Sequence, residues 1–180
     1  MAEIQTTAFE TLQLRPDDRF LDVGCGTGAA VRRAAGVAGR SVGVDLSPGM
    51  IGRGRELARD VENVEFVEGD SEALPFGDAE FSAILCTTSF HHYPDPVAAS
   101  SEMARVLAPD GRLVLGDACT DNRAVWLLDR ILRAVERSHV SFYGSERLRG
   151  FVQAAGLTAT GTRYLFGRGY QICSARKEGR

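Results

Sequence analysis

Along most of the chain, short unbroken apolar runs alternate with segments whose apolar residues recur every three or four positions. The first pattern reads as buried strands and the second as helices packed by one face. Residues 3–13 are helical in pattern, and Pro16, Asp17 and Asp18 break them. Residues 19–23 form a first strand. Residues 27–38 then carry Val31, Ala34, Ala35 and Ala38 at helical spacing, and Gly39 stops them. Residues 41–46 form a second strand. Ser47 caps a helix over 48–59 that has Pro48 at its first position and Met50, Gly54, Leu57 and Ala58 along one side. Further strands are expected at 64–68, 80–86 and 112–116. A helix over 95–107, with Met103, Val106 and Leu107 inward, and a turn at Pro109, Asp110 and Gly111 precede the last of these.

The rhythm changes after Asp117. A helix over 122–137 presents Leu128, Ile131, Leu132 and Val135 as a core-facing stripe, with Trp126 on nearly the opposite face. A helix over 145–155 turns Leu148, Phe151, Val152 and Ala155 inward and ends at Gly156. The final strands, 157–166 and 170–175, are joined by Gly167, Arg168 and Gly169, which favours an antiparallel hairpin. This order predicts an α/β fold, a three-layer doubly wound and mostly parallel sheet. Right-handed crossovers would bring the strand tips at 24–28, 45–46, 69–71, 87–92 and 117–121 to one edge, where such sheets bind ligands.

Composition narrows the class. The 180 residues fit one domain over 1–180, and 44% hydrophobic with 25% charged residues is the balance of a globular chain. A net charge of −3 gives no overall pull toward nucleic acid or anionic membrane, though it leaves room for a local basic patch. No apolar stretch has the length of a membrane span, and no basic-then-apolar leader opens the chain. Cys25, Cys86, Cys119 and Cys173 form no C-x-x-C pair and read as reduced, buried thiols of a cytoplasmic protein. The three histidines lack zinc-site spacing, and Asp117 and Asp121 read as solvated loop carboxylates, so no metal is expected.

The chemistry concentrates at the tips. Gly24, Gly26 and Gly28 let the backbone turn tightly and approach a ligand. The spacing also fits a dinucleotide loop, and a structural turn is the plain alternative. Asp45 ends the second strand, where a carboxylate can accept ribose hydroxyls, a feature shared with nicotinamide-binding folds. Asp70, between Gly69 and Ser71, can accept from an adenine amino group.

In order, residues 21–28 (LDVGCGTG), 42–47, 69–76, 81–94 and 105–116 resemble the motifs of class I, Rossmann-like S-adenosylmethionine-dependent methyltransferases. The nearest resemblance is to the small-molecule branch that includes the ubiquinone/menaquinone biosynthesis C-methyltransferases, and it covers residues 10–175. It implies a seven-stranded sheet with an antiparallel last strand. It also implies S-adenosyl-L-methionine as cofactor, S-adenosyl-L-homocysteine as product and a small-molecule methyl acceptor. Asp22, Gly24, Cys25 and Gly26 match the loop that holds the methionine part, and Gly28 opens the following helix. Asp45 matches the ribose acceptor, with Leu46 and Met50 beside the adenine. Asp70 and Ser71 match the adenine-edge pair, and Thr87 the position that meets the methionine amino group through the backbone. Asp110 departs from the usual Pro-Gly-Gly turn, at the end of the fifth strand far from the site.

His91 and His92 follow the fourth strand on the methyl-transfer side, and either imidazole is a candidate base. The competing reading makes one structural and the other a pocket wall. His139, Phe142 and Tyr143 lie in a segment, 118–145, that often covers the acceptor in the family. Trp126 is a further acceptor-side candidate. A cofactor-binding protein without methyl transfer is one alternative. A nicotinamide oxidoreductase is another, against which Asp70, Ser71 and the terminal hairpin argue. The chain shows no Asn/Asp-Pro-Pro-Tyr/Phe motif and no basic arm, so nucleic acid is not the expected partner. A monomer or homodimer is expected. The acceptor atom, carbon, oxygen or nitrogen, is open.

Overall fold

A computed structural model describes residues 2–179; Met1 and Arg180, the ends of the expected domain span, lie outside the described residues. The chain runs α1 (Ala2–Leu12), β1 (Arg19–Val23), α2 (Ala29–Ala35), β2 (Arg40–Asp45), α3 (Pro48–Leu57), β3 (Val64–Glu68), β4 (Phe81–Thr87), a 3₁₀ turn (Phe90–His92) and α4 (Pro96–Val106). It continues with β5 (Leu107–Ala118), α5 (Arg123–Val135), α6 (Ser145–Ala154), β6 (Thr158–Leu165) and β7 (Tyr170–Arg176). The seven strands form one sheet in the order β3-β2-β1-β4-β5-β7-β6. β1 pairs in parallel with both β2 and β4, so the order of the strands reverses on either side of it. β7 is antiparallel to both β5 and β6, as the expected hairpin requires.

Alternation along the strands explains the double burial. Leu21 and Val23 face one core with Ile84, Cys86, Leu113 and Leu115, closed by Met103 of α4 and by Leu148 and Val152 of α6. Phe20, Ala83, Leu85 and Val114 face the other, closed by Ala8 and Leu12 of α1 and Ala30 and Ala34 of α2. Every second residue therefore feeds a different core, which is why these strands read as continuous apolar runs. All four cysteines are buried and free, and burial pushes the Cys86 thiol up to about 12 and that of Cys173 to about 11.

Some expectations are corrected. The turn at Pro109–Gly111 lies within a longer β5, as an irregularity where the pairing with β4 shifts register and Asp110 takes φ 59°. In α3 the buried side carries Ile51 and Gly54, while Met50 and Leu57 are exposed. The largest correction is α5. Asn122 caps it by accepting from the amides of Ala124 and Val125, yet Leu128, Ile131 and Val135 point to solvent and Leu132 is only half-buried. Its one buried residue is Asp129. Periodicity fixed the stripe but not which side of the helix meets the body. Asp117 is likewise buried rather than solvated, at 3% exposure.

Candidate functional site

The loop after β1 turns over the tip of β2, where the amides of Gly24 and Cys25 both donate to the Val44 carbonyl at 2.9 and 3.0 Å. Gly24, Gly26 and Gly28 all have positive φ, between 54° and 74°. Their reasons differ. A Cβ on Gly24 would lie 2.5 Å from Ser89 Cβ, and one on Gly28 would lie 2.2 Å from the Phe66 ring. Both are needed for internal packing. Gly26 has nothing within 4 Å of that position, so its backbone borders open space.

Asp45 holds the loop from β2. Its carboxylate accepts from the Gly26 amide at 2.8 Å and from the Ser47 amide at 2.9 Å, and lone pairs remain on both oxygens for hydroxyl donors. Asp22 lies beneath the loop at 4% exposure, and among the described residues nothing donates to its carboxylate. Burial and the nearby Asp45 charge push its pKa up to about 8. A buried carboxyl without a donor, facing a second carboxylate, is an arrangement that a cationic ligand relieves.

A cleft of about 230 Å³ opens at these tips, lined by Gly24, Asp45, Leu46, Asp70, Ser71 and His92 among the expected residues. Asp70 is exposed, and its Oδ1 is taken by the Glu72 amide at 2.9 Å. Met50 stands exposed on α3. The Cys25 side chain turns away into a small apolar cluster with Val31, Ile51 and Phe66, so only its backbone faces the loop. Thr87 ends β4 opposite Gly116, and a Cβ there would meet its methyl at 3.2 Å.

Ser89, Tyr93, Pro94 and Glu72 also line the cleft, and they are absent from the sequence expectations. The hydroxyl of Ser89 donates to the Val23 carbonyl at 3.2 Å and lies 3.1 Å from that of Tyr93. Glu72 accepts the Asp95 amide at 2.6 Å, tying the tip after β3 to the start of α4. The run of polar and aromatic residues after β4 was the available signal, but their placement depends on the 3₁₀ turn.

The three histidines gather beside the 3₁₀ turn, the His91 ring lying 3.9 Å from that of His92 and 5.5 Å from that of His139. His91 is buried, with its Nδ1 2.9 Å from both Asp117 oxygens and its backbone amide donating to Oδ2 at 2.9 Å. The His92 ring is exposed 3.9 Å from it, and His92 Nδ1 is 2.7 Å from the Ser138 carbonyl. A carbonyl only accepts, so Nδ1 carries a proton toward it and Nε2 is the ring nitrogen left to face a ligand. His139 is buried against Asp129, Nε2 to Oδ1 at 2.8 Å, and the Phe142 amide donates to the same oxygen at 2.6 Å. Phe142 is half-buried between the His91 and His139 rings, at 4.9 and 4.5 Å. Tyr143 belongs instead to the core, against Phe90 and Phe151. Trp126 does not line the cleft; its half-exposed ring sits under Arg130 at 5.2 Å. Among the described residues no group of three or more His, Cys, Asp or Glu is placed to hold a metal, and no helix is long and apolar enough to cross a membrane.

Comparison with known proteins gives a family. A methyltransferase domain model matches residues 21–115. The chain is 36% identical over 108 residues to demethylmenaquinone methyltransferase of Staphylococcus carnosus, a match covering 58% of this chain and 45% of that one. The match thus spans less than half the length of that curated relative. Among solved structures it resembles the YcgJ protein of Bacillus subtilis, with TM-score 0.88 and 22% identity over 100% of both chains. It also resembles the [4+2]-cyclase SpnF, with TM-score 0.84 and 21% identity over 99% of this chain and 81% of the other. At such identities the two structures speak for the fold alone.

Proposed function

The chain belongs to the methyltransferase domain family, class I in fold, and from that premise we propose that it transfers the methyl group of S-adenosyl-L-methionine to a small-molecule acceptor. One observation of this chain's own geometry supports the reading most. Asp22 lies buried and without a donor beneath a glycine loop whose Gly26 borders open space. The cofactor is a cation at both its amino group and its sulfur, and it supplies an already electrophilic methyl carbon. The residues present therefore fit it. Asp22 would neutralise its positive charge, the Gly24–Gly26 backbone would lie against the amino-acid part, Asp45 would accept ribose hydroxyls, and Asp70 and Ser71 would border the adenine.

The remaining work of the protein is to align a nucleophile and exclude water. His92 reaches the cleft with a free Nε2 and serves as proton acceptor when the acceptor group starts protonated. His91 acts through His92 as a positioning residue, locked by Asp117 on one side and packed against the His92 ring on the other. The segment 118–145 borders the acceptor, with its chain fastened where the amides of Val140 and Ser141 donate to the His91 carbonyl at 2.9 and 3.2 Å.

Calorimetry with S-adenosyl-L-homocysteine and with NAD tests the cofactor, since NAD binding without S-adenosyl-L-homocysteine binding overturns the reading. A radiolabelled methyl-transfer screen over quinols, phenols and amines tests the activity. The name of the Staphylococcus relative makes demethylmenaquinone the first acceptor to try. Binding of S-adenosyl-L-homocysteine with no transfer to any of these acceptors would favour a cofactor-binding protein instead.

A further inference from the structure

The helix α5 is built like a core helix but packs like a surface one. Leu127, Leu128, Ile131 and Val135 are between 46% and 72% exposed, and the helix makes few contacts with other elements. At 100° per residue these four side chains fall on one face. From Leu127 to Val135 that face is about 12 Å long, on a helix of thirteen residues. Fixed exposure of such a stripe is unfavourable in water and marks a surface that something else covers.

Charge says what covers it. Residues 123–137 hold four arginines, Arg123, Arg130, Arg133 and Arg137, against two acids, Asp129 and Glu136, a net of +2 in a chain of net −3. Asp129 is buried, shared with His139 and 3.9 Å from Arg133 Nη1, which leaves Arg123, Arg130 and Arg137 against Glu136 on the solvent side. The hairpin tip adds an exposed Phe166, and its Arg168 lies 3.8 Å from the Asp121 carboxylate; the tip is joined to the start of α5 by Asn122 Nδ2 donating to the Gly167 carbonyl at 3.0 Å. A second copy of this helix would bring like charges together. An anionic bilayer surface meets both the apolar stripe and the arginine rim, whose stems can lie along the acyl boundary while the guanidinium groups reach phosphates.

We propose that α5 docks this protein on the surface of an anionic membrane, lying in the interface by its Leu127–Leu128–Ile131–Val135 face. Docking there brings the segment that ends at the histidine cluster to the lipid surface, through the Asp129 tie to His139 and Phe142.

Co-sedimentation of the full chain with vesicles tests this. Binding is expected to vesicles containing phosphatidylglycerol, with little to phosphatidylcholine alone and a marked loss in high salt. Leu128→Asp combined with Ile131→Asp is expected to lower the bound fraction by about tenfold or more. Both positions are exposed, so the variant's melting temperature should not fall. Because the native cysteines are buried, Ile131→Cys can be labelled selectively with a polarity-sensitive dye, whose emission should shift to the blue on anionic vesicles. Equal binding by the double-Asp variant, no dye shift, or light scattering showing a dimer that the variant dissociates would each overturn the proposal. None of these readouts uses methyl transfer, so their failure leaves the cofactor reading standing.

Discussion

His91 Nδ1 is equidistant, at 2.9 Å, from the two carboxylate oxygens of Asp117, twenty-six positions further along the chain. The same carboxylate also takes the His91 and Ala118 amides at 2.9 and 2.8 Å. With this many donors, Asp117 stays an acceptor, and the His91 ring is fixed in plane and tautomer. The ring beside it, His92, is the one that reaches the cleft.

The two histidines should therefore separate by experiment. His92→Ala should lower kcat by about a hundredfold for an acceptor that starts protonated. It should leave S-adenosyl-L-homocysteine affinity unchanged. Asp117→Asn should lower kcat and the melting temperature together. An unchanged kcat in His92→Ala would remove it as the base.

Asp22 gives a pH-dependent expectation. Its pKa rises from 3.8 to about 8 on folding, so between those values the native chain holds a proton that the unfolded chain releases. The stability tied to that proton is full below pH 3.8 and is lost as pH rises through about 8. Asp22→Asn should therefore raise the melting temperature more at pH 8.5 than at pH 5, while weakening cofactor binding. Binding of S-adenosyl-L-homocysteine to the native chain near pH 7 should release a proton, seen as a calorimetric enthalpy that depends on the buffer. A buffer-independent enthalpy would rule out this coupling.

At the opposite end of the sheet, Arg112 pairs with Asp18 in a buried contact. Arg112 Nε also donates to the Leu12 carbonyl at 2.9 Å, and Asp18 accepts Ser82 Oγ at 2.7 Å. One ion pair thus joins α1, β4 and β5. Asp18→Ala should cost about 3–5 kcal/mol by stranding the guanidinium. Denaturant melts should show this, with cofactor affinity unchanged under native conditions.

How far the chain could be read follows from the range of each signal. The central strands β1, β4 and β5 were legible because both of their faces are buried, which leaves nearly unbroken apolar runs. The gathering of the glycine loop, Asp45, Asp70 and Ser71 around one cleft was legible because each lies next to its own strand tip. The orientation of α5 was not. Its periodicity is strong, but the decisive residue is Asp129, whose partners His139 and Phe142 lie beyond the helix. Ser89 and Tyr93 were missed for a related reason, since only the 3₁₀ turn aims their hydroxyls under the Gly24 backbone.

That last contact separates two glycines that look equivalent in the sequence. Gly24→Ala places a methyl 2.5 Å from Ser89 and 2.8 Å from the Tyr93 hydroxyl, at φ 71°. The backbone strain and the clash together should cost about 2–4 kcal/mol of stability. Gly26→Ala meets no protein atom and bears only the left-handed strain, about 1–2 kcal/mol. Its methyl would project into the open space beside the loop, where the methionine part of the cofactor is proposed to lie. Gly26→Ala should therefore be the milder variant in thermal melts and the one with the larger loss of S-adenosyl-L-homocysteine affinity relative to its stability cost. Full affinity in a well-folded Gly26→Ala would place the cofactor elsewhere in the cleft.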